Sequence, residues 1–432
     1  MVFVVLSVGA ASASGTGGRS GLPDFSYTAS LHPYGGKGVA CVARDGDTAL
    51  PWRMAGIGSL GGLDWAPGGG RFVVALARPL HSVLRVAAAD PSGGLSVLTA
   101  PRIKIEDDTQ PDWSPGGSKV AFHRDVSFGP GVDYRRSGLW VVDVATRRET
   151  QFTGEWPSAF DWSPSGDRLV VQSSFGDLSL FSGDGTRLWT ISRNSEGLKG
   201  VAWSPTGEVI AARFGREILL TTPDRTPVTT ITLQQNRLDS LEYGLSWSPD
   251  GQLLAVGGGP IYDRTGALVR RYAPPSTDAA VAVDPTWTPD GTAIVYRRAP
   301  AVLLTSRYTQ HLVLGAADLY LSDARGGVPI ALTSTPQLDE SDVVFRPGHG
   351  GGTAGLAIEC FHLGTPGRDV VYGTEAEDLV LGDAGNDVVY GRGGNDVIFG
   401  GDLARPSELP CRLDAQARRV TIPHKGAPAL AA

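Results

Sequence analysis

The stretch LSWSPDGQLLAVGG at residues 245–258 sets a pattern that returns along most of the chain. An aromatic residue is followed by Ser or Thr, by Pro, by a Gly two positions later, and then by alternating apolar residues. Proline fixes φ at a turn and glycine tolerates a positive φ, so this order predicts a tight turn. The alternation that follows has the period of a β-strand. The unit therefore predicts two antiparallel strands joined by a short turn.

Copies of this unit recur at the period of one four-stranded propeller blade. Six copies carry a tryptophan, at spacings of 40 to 49 residues: Trp65, Trp113, Trp162, Trp203, Trp247 and Trp287. A weaker seventh copy, at 343–360, has Phe345 in that place. One such sheet cannot bury both of its faces, so we expect the sheets to stack around a ring. The sequence predicts an all-β protein with a seven-bladed β-propeller over residues 25–360, and a six-bladed ring is the alternative.

The ends of the predicted ring suggest how it closes. The seventh copy supplies two strands, and residues 39–46 and 47–56 have the pattern of the missing third and fourth strands. This closure would place Cys41 on the strand beside the one that ends in Cys360. The chain has three cysteines, which allow one disulfide and one spare thiol. We favour a Cys41–Cys360 bridge, and Cys360–Cys411 is the alternative.

The W-[ST]-P-x-G units, with Leu-Thr endings at 98–99 and 332–333, resemble TolB-like (WD40-like) propeller repeats. The resemblance implies an exported or periplasmic interaction platform, or the gating propeller of a prolyl-peptidase-like enzyme. The second reading needs a Gly-x-Ser-x-Gly elbow, which the sequence lacks. We therefore expect no enzyme and assign no catalytic residue. The alternative function is a lactonase-like or glycosidase-like hydrolase that acts at the central channel.

Three features of the propeller region bear on that alternative. An aspartate precedes the tryptophan at Asp64, Asp112 and Asp161, where carboxylates could form a ring around the axis. We favour the simpler role of accepting hydrogen bonds from backbone N–H groups. Two longer loops, at 123–138 and 297–318, are where a rigid scaffold would meet a ligand.

From Gly364 the chain changes to four nine-residue repeats, GTPGRDVVY, GTEAEDLVL, GDAGNDVVY and GRGGNDVIF. The eighth position is always a β-branched apolar residue, and the sixth is always aspartate: Asp369, Asp378, Asp387 and Asp396. This pattern resembles the G-G-x-G-x-D-x-U-x repeat of RTX (haemolysin-type) calcium-binding proteins.

The resemblance implies a short parallel β-roll over residues 361–402, with two repeats in each coil. Asp369 and Asp387 would face one Ca²⁺, and Asp378 and Asp396 a second one. Carbonyl groups of the glycine turns would complete the oxygen ligands that Ca²⁺ requires. The predicted metal site comprises these four aspartates with Gly364, Gly367, Gly382, Asp383, Gly385, Gly391 and Gly394.

Composition and termini limit the remaining possibilities. The net charge is −7 without a basic stripe, so nucleic acid is a poor candidate partner. Residues 1–14 predict a truncated signal peptide, no later segment predicts a transmembrane helix, and residues 403–432 predict a flexible tail. The predicted function is that of a secreted bacterial protein, extracellular or periplasmic, that binds calcium. Its propeller would bind an unidentified protein or carbohydrate.

Overall fold

The structure is a computed structural model of the chain. It describes residues 25–31, 36–45, 60–77, 82–88, 95–100, 106–126, 134–193, 199–233, 243–277, 280–305, 310–315, 317–333, 338–347, 356–363, 370–372, 378–381, 387–390, 396–399, 411–413, 420–422 and 430–431. Predictions for residues 1–14 and 47–56 lie outside these ranges. No helix in the described ranges is long and apolar enough to cross a membrane.

In the described ranges, six antiparallel sheets of four strands follow one another along the chain, and we number them blades 1 to 6. An N-terminal pair of strands precedes them, β1 (Phe25–Leu31) and β2 (Gly36–Asp45). Blade 1 contains β3 (Leu60–Trp65), β4 (Arg71–Ala77), β5 (Ser82–Ala88) and β6 (Leu95–Val97). Blade 2 contains β7 (Glu106–Trp113), β8 (Lys119–Val126), β9 (Gly138–Asp143) and β10 (Glu149–Thr153), with a 3-10 helix at Tyr134–Arg136. Blade 3 contains β11 (Pro157–Trp162), β12 (Arg168–Ser173), β13 (Asp177–Ser182) and β14 (Arg187–Ser192).

Blade 4 contains β15 (Lys199–Trp203), β16 (Ile210–Phe214), β17 (Glu217–Thr221) and β18 (Pro227–Thr232). Blade 5 contains β19 (Leu245–Trp247), β20 (Leu253–Val256), β21 (Pro260–Asp263) and β22 (Leu268–Arg271). Blade 6 contains β23 (Val281–Trp287), β24 (Ala293–Ala299), β27 (Asp318–Asp323) and β28 (Ile330–Ala331). The predicted long loop of this blade holds a hairpin of its own, β25 (Ala301–Thr305) and β26 (Gln310–Leu314).

The C-terminal strands are β29 (Leu338–Phe345), β30 (Leu356–Leu363), β31 (Val370–Tyr372), β32 (Asp378–Leu381), β33 (Asp387–Tyr390), β34 (Asp396–Phe399), β35 (Cys411–Leu413), β36 (Val420–Ile422) and β37 (Leu430–Ala431). The last three lie in the stretch for which the sequence predicts a flexible tail. These strands form two sheets, and the first of the two also contains β1 and β2. One has the order β29-β1-β2-β30-β32-β34-β35, and the other has the order β31-β33-β36-β37.

The turn between the first two strands of each blade has the geometry that the sequence predicts. In blade 5 the N–H of Gly251 donates to the carbonyl of Ser248 at 2.8 Å, and the φ of Gly251 is 67°. The Ser248 hydroxyl also accepts the N–H of Leu253 at 2.9 Å, where the second strand begins. The same positive φ recurs in the other five blades, at Gly69, Gly117, Gly166, Gly207 and Gly291. A glycine is needed there because other residues rarely adopt this backbone conformation.

The hydrophobic core lies between blades rather than within one of them. Clusters of buried side chains join each blade to the next, from blade 1 to blade 6. Between blades 4 and 5, for example, Ile218 and Leu220 pack with Trp247 and Leu254, and all four are buried. Because the sheets share their buried faces in pairs, no blade has a complete core by itself.

The ring is closed by strands from both ends of the chain. We call β29, β1, β2 and β30 the closing sheet; it contacts blade 1 through β3 and blade 6 through β23, β24 and β27. Trp65 of blade 1 donates its indole N–H to the Ser26 hydroxyl at 3.0 Å. Arg346 lies over the Trp65 ring at 5.0 Å and donates to the carbonyl of Gly69 at 2.8 Å. The all-β propeller is thus confirmed, with the six blades of the alternative prediction, each built from one stretch of the chain, and with the closing sheet between the first and the last.

The order of strands in the closing sheet differs from the prediction. The third strand is β2, as expected for residues 39–46. The second strand, however, is β1 at Phe25–Leu31, and β30 is the fourth and not the second. The reason is that β1 and β2 pair with each other as a hairpin, and this hairpin inserts as a unit between β29 and β30.

Candidate calcium site

The four nine-residue repeats form two parallel ladders, each built from alternate repeats. Strand β31 pairs with β33, and Val370 lies opposite Val388. Strand β32 pairs with β34, and Leu379 lies opposite Val397. The partners in both ladders are 18 residues apart, which is two repeats. The chain therefore alternates between two sheets, as the prediction of two repeats per coil requires.

This register stacks the aspartates of alternate repeats. Asp378 and Asp396 are the first residues of β32 and β34, each one position before the paired residues Leu379 and Val397. Neighbouring strands lie about 4.8 Å apart, so the two aspartates occupy adjacent rungs. Asp387 is likewise the first residue of β33. Its expected partner Asp369 lies outside the described residues, one position before Val370.

Aspartates at the starts of neighbouring strands are suitable ligands for calcium. Ca²⁺ takes six to eight oxygen ligands at about 2.3–2.6 Å, and carboxylates on adjacent rungs can supply part of such a set. The remaining ligands are expected from turns outside the described residues, where Gly364, Gly367, Gly382, Asp383, Gly385, Gly391 and Gly394 all lie. Within the part of the chain that the structure describes, no three His, Cys, Asp or Glu side chains converge on a possible metal position.

Both ladders continue beyond the repeats. At one end, β30 of the closing sheet pairs in parallel with β32, and Phe361 lies opposite Leu379. This offset is again 18 residues, although β30 ends before the first repeat begins at Gly364. At the other end, β35 pairs antiparallel with β34, and β36 pairs antiparallel with β33. Three of the four repeat strands, β32, β33 and β34, therefore pair with a strand from outside the repeats. For β31 no such partner is found among the described residues.

The aspartates before the tryptophans form a second cluster of carboxyl groups, in the propeller. Asp64 accepts the backbone N–H of Trp65 at 2.8 Å and that of Trp113 at 2.7 Å. Asp161 accepts the N–H of Trp203 at 2.6 Å. These bonds confirm the predicted role for the two residues, and two of the three join one blade to the next.

The same carboxyl groups have perturbed acidities. Burial raises the pKa of Asp64 to about 7, against the opposing effect of its two N–H donors. Burial also raises the pKa of Asp161 to about 7. For Asp112, burial and then the charges of Asp64 and Asp161 raise the pKa well above its ordinary value. The three carboxyl groups are therefore close enough for each ionisation to hinder the next.

A buried ionic cluster in blade 2 was missed by the sequence reasoning. Arg124 binds both carboxylate oxygens of Asp108, at 2.6 and 2.8 Å, and Glu149 at 2.8 Å. Arg136 pairs with Glu106, and its guanidinium lies 5.2 Å from the Trp140 ring. The side chains of Arg124, Asp108 and Glu106 are fully buried. The cluster fixes both ends of the 123–138 loop, and the alternate acidic residues of β7 are the signal that would have revealed it.

A comparison with known protein families identifies the nine-residue repeats. Residues 363–398 match the RTX calcium-binding nonapeptide repeat in four copies, which confirms the predicted calcium-binding segment. No curated protein matches the chain. Among solved structures, the chain is similar to the Dos1 propeller, with 13% identity, a TM-score of 0.46, and coverage of 60% of this chain and 70% of that one. It is also similar to TolB from Acinetobacter baumannii, with 15% identity, a TM-score of 0.44, and coverage of 75% and 67%.

Proposed function

We propose that this chain is an exported calcium-binding protein whose propeller serves as a binding platform. The observation that carries the proposal is the 18-residue register of the roll, which puts Asp378 and Asp396 on adjacent rungs. Uncompensated carboxylates stacked in this way repel each other, and a divalent cation between them removes the repulsion. Calcium sites in extracellular modules commonly have dissociation constants of about 10⁻⁴–10⁻³ M. Such a site would fill outside the cell, where calcium is abundant.

The roll is expected to depend on its metal. Each ordered residue costs about 1–2 kcal/mol of conformational entropy, and two coils bury few apolar side chains. A dissociation constant of 10⁻⁴–10⁻³ M corresponds to roughly 4–5.5 kcal/mol per ion. Two ions would therefore add roughly 8–11 kcal/mol to the stability of the ordered segment.

Isothermal titration of the full chain with CaCl₂ tests the proposal. We expect saturable binding in the millimolar range or tighter, with a matching change in circular dichroism between EDTA and calcium. The double variant Asp378→Asn/Asp396→Asn should lose one class of sites. Asp177→Asn, which changes a carboxylate of blade 3, is the matched control and should bind as the unaltered chain does. Absence of any calcium-dependent heat or spectral change would refute the calcium function.

The cluster of three carboxyl groups in the propeller favours a second candidate, a hydrolase that acts at the central channel. Perturbed carboxyl groups are common in catalytic sites, where one acid holds a proton at neutral pH. Asp112 is the candidate proton donor, since no hydrogen bond to its carboxyl group is found among the described residues. Assays against a panel of lactones and aryl glycosides, with Asp112→Asn as the inactive comparison, distinguish this candidate from a non-catalytic platform.

A further inference from the structure

Two of the three cysteines lie directly opposite each other in the closing sheet. In the antiparallel ladder between β2 and β30, the partner of Cys41 is Cys360. Opposite residues in such a ladder have Cα atoms about 4.5–5.5 Å apart. Disulfides span Cα distances of about 4.4–6.8 Å. The backbone register thus satisfies the distance condition for a cross-strand bridge.

The third cysteine does not compete for this bridge. Cys411 lies on β35, opposite Ile398 of β34. Two strands, β32 and β34, separate β35 from β30. Three strand spacings amount to about 14 Å, which is beyond the reach of a disulfide. Of the two pairings left open by the sequence, the register is compatible with one.

We propose that Cys41 and Cys360 form a disulfide that locks the closing sheet of the propeller. The two thiols lose two protons and two electrons to an oxidised disulfide donor, which is reduced to its dithiol form. Such donors act in oxidising compartments outside the cytoplasm. The bond joins the second strand of the chain to the last strand of the closing sheet, so it encircles all six blades in one covalent loop.

The position of Cys360 links this bond to the calcium segment. In the parallel ladder from β30 to β32, the partner of Cys360 is Asp378. Cys41, Cys360 and Asp378 therefore form one row across three neighbouring strands. A bond between the two cysteines holds β30 in register with β2. It thereby fixes the position of the strand with which β32, the strand that begins at Asp378, pairs. This second effect rests on the proposed calcium function.

Peptide mapping under non-reducing conditions tests the bond directly. The full chain, oxidised with glutathione disulfide, should yield a Cys41–Cys360 peptide pair and a free thiol at Cys411. A Cys360–Cys411 pair, or three free thiols, would overturn the proposal. Cys41→Ser and Cys360→Ser should each lower the unfolding midpoint by the same amount, and the double variant should lose no more than either. Cys411→Ser is the matched control and should keep the midpoint.

The calcium titration separates the two parts of the inference. We expect Cys360→Ser to shift the half-saturating calcium concentration upward, whereas Cys411→Ser should leave it in place. If the mapped bond is present and the titration is unchanged in both variants, the register-setting effect is wrong while the bond and the calcium function stand. If no chain binds calcium, the proposed function fails and the bond is judged by the mapping alone.

Discussion

At the scale of single residues, the aspartates that recur in the propeller repeats and those that recur in the nine-residue repeats have different roles. In the propeller, Asp64 and Asp161 accept backbone N–H groups of neighbouring strands and keep raised pKa values. In the roll, Asp378 and Asp396 begin strands on adjacent rungs, where a cation can neutralise them. The neighbourhood that the fold provides, and not the residue type, decides which role an aspartate takes.

The raised pKa of Asp64 predicts a pH dependence of stability. Its value rises from 3.8 to about 7 on folding, so the native state binds more protons than the unfolded chain between these values. Its contribution to stability is full below about pH 4 and is lost as the pH rises to about 7. In Asp64→Asn the free energy of unfolding should fall less between pH 4 and pH 7 than in the unaltered chain. The difference should exceed about 1 kcal/mol, since one pKa unit corresponds to about 1.4 kcal/mol. Urea unfolding in EDTA at pH 4 to 8 measures the effect.

Asp177→Asn is the control for that experiment, because its carboxylate lies away from the three aspartates. A parallel decline of stability with pH in Asp64→Asn and in the unaltered chain would contradict the interpretation.

At the scale of the element, three of the tryptophans that end a first strand join their blade to the previous one by a hydrogen bond. Trp247 donates its indole N–H to the carbonyl of Ala202 at 3.1 Å, and Trp287 donates to Ser246 at 3.1 Å. Trp162 does the same to Asp112 at 3.2 Å. Each acceptor is the residue just before the aromatic residue of the preceding blade. Trp203 departs from the pattern and donates within its own turn, to Gly207 at 3.2 Å.

Two tryptophans of equal burial provide a test of this contact. Trp247 and Trp113 are 6% and 4% exposed, but the indole N–H of Trp113 has no partner among the described residues. Trp247→Phe removes the indole donor to the carbonyl of Ala202, whereas Trp113→Phe removes an indole N–H that has no acceptor among the described residues. We expect Trp247→Phe to cost about 1–2 kcal/mol more in the free energy of unfolding. Equal losses in urea denaturation would show that the indole hydrogen bond contributes little.

The elements also show what the sequence could predict. The blade turns and the 18-residue register of the roll follow from local repeats, and both are found as expected. The insertion of β1 between β29 and β2 was not predicted, because β1 carries no copy of the repeat and pairs with a segment about 300 residues away. The Arg124 cluster was missed because its acidic partners lie on two other strands, β7 and β10, and meet Arg124 only when blade 2 folds.

At the scale of the whole molecule, β30 belongs to the propeller and to the roll at once. It pairs with β2 on one side and with β32 on the other. Calcium bound in the roll should therefore stabilise the closing sheet and, through it, the ring. At a hundred-fold excess over its dissociation constant a ligand adds about 2.7 kcal/mol, which corresponds to about 3 °C in the unfolding midpoint of a chain of this size.

Intrinsic fluorescence measures this coupling in the propeller alone, because all ten tryptophans lie at or before residue 287. We expect the fluorescence-monitored midpoint to rise with calcium and to rise less in Asp378→Asn/Asp396→Asn, which keeps the other predicted site. If calcium changes the circular dichroism but not the fluorescence-monitored midpoint, the propeller and the roll unfold independently.

The interleaving of β1 and β2 with β29 and β30 also has a consequence during synthesis. The N-terminal hairpin leaves the ribosome early, yet its outer neighbours are translated about 300 residues later. At about 5–20 residues per second, that interval lasts roughly 15–60 s. Until then the hairpin has two open edges, which are sites where strands of other nascent chains can add. Export in an unfolded form, or a chaperone that covers those edges, would shield the hairpin until its neighbours arrive.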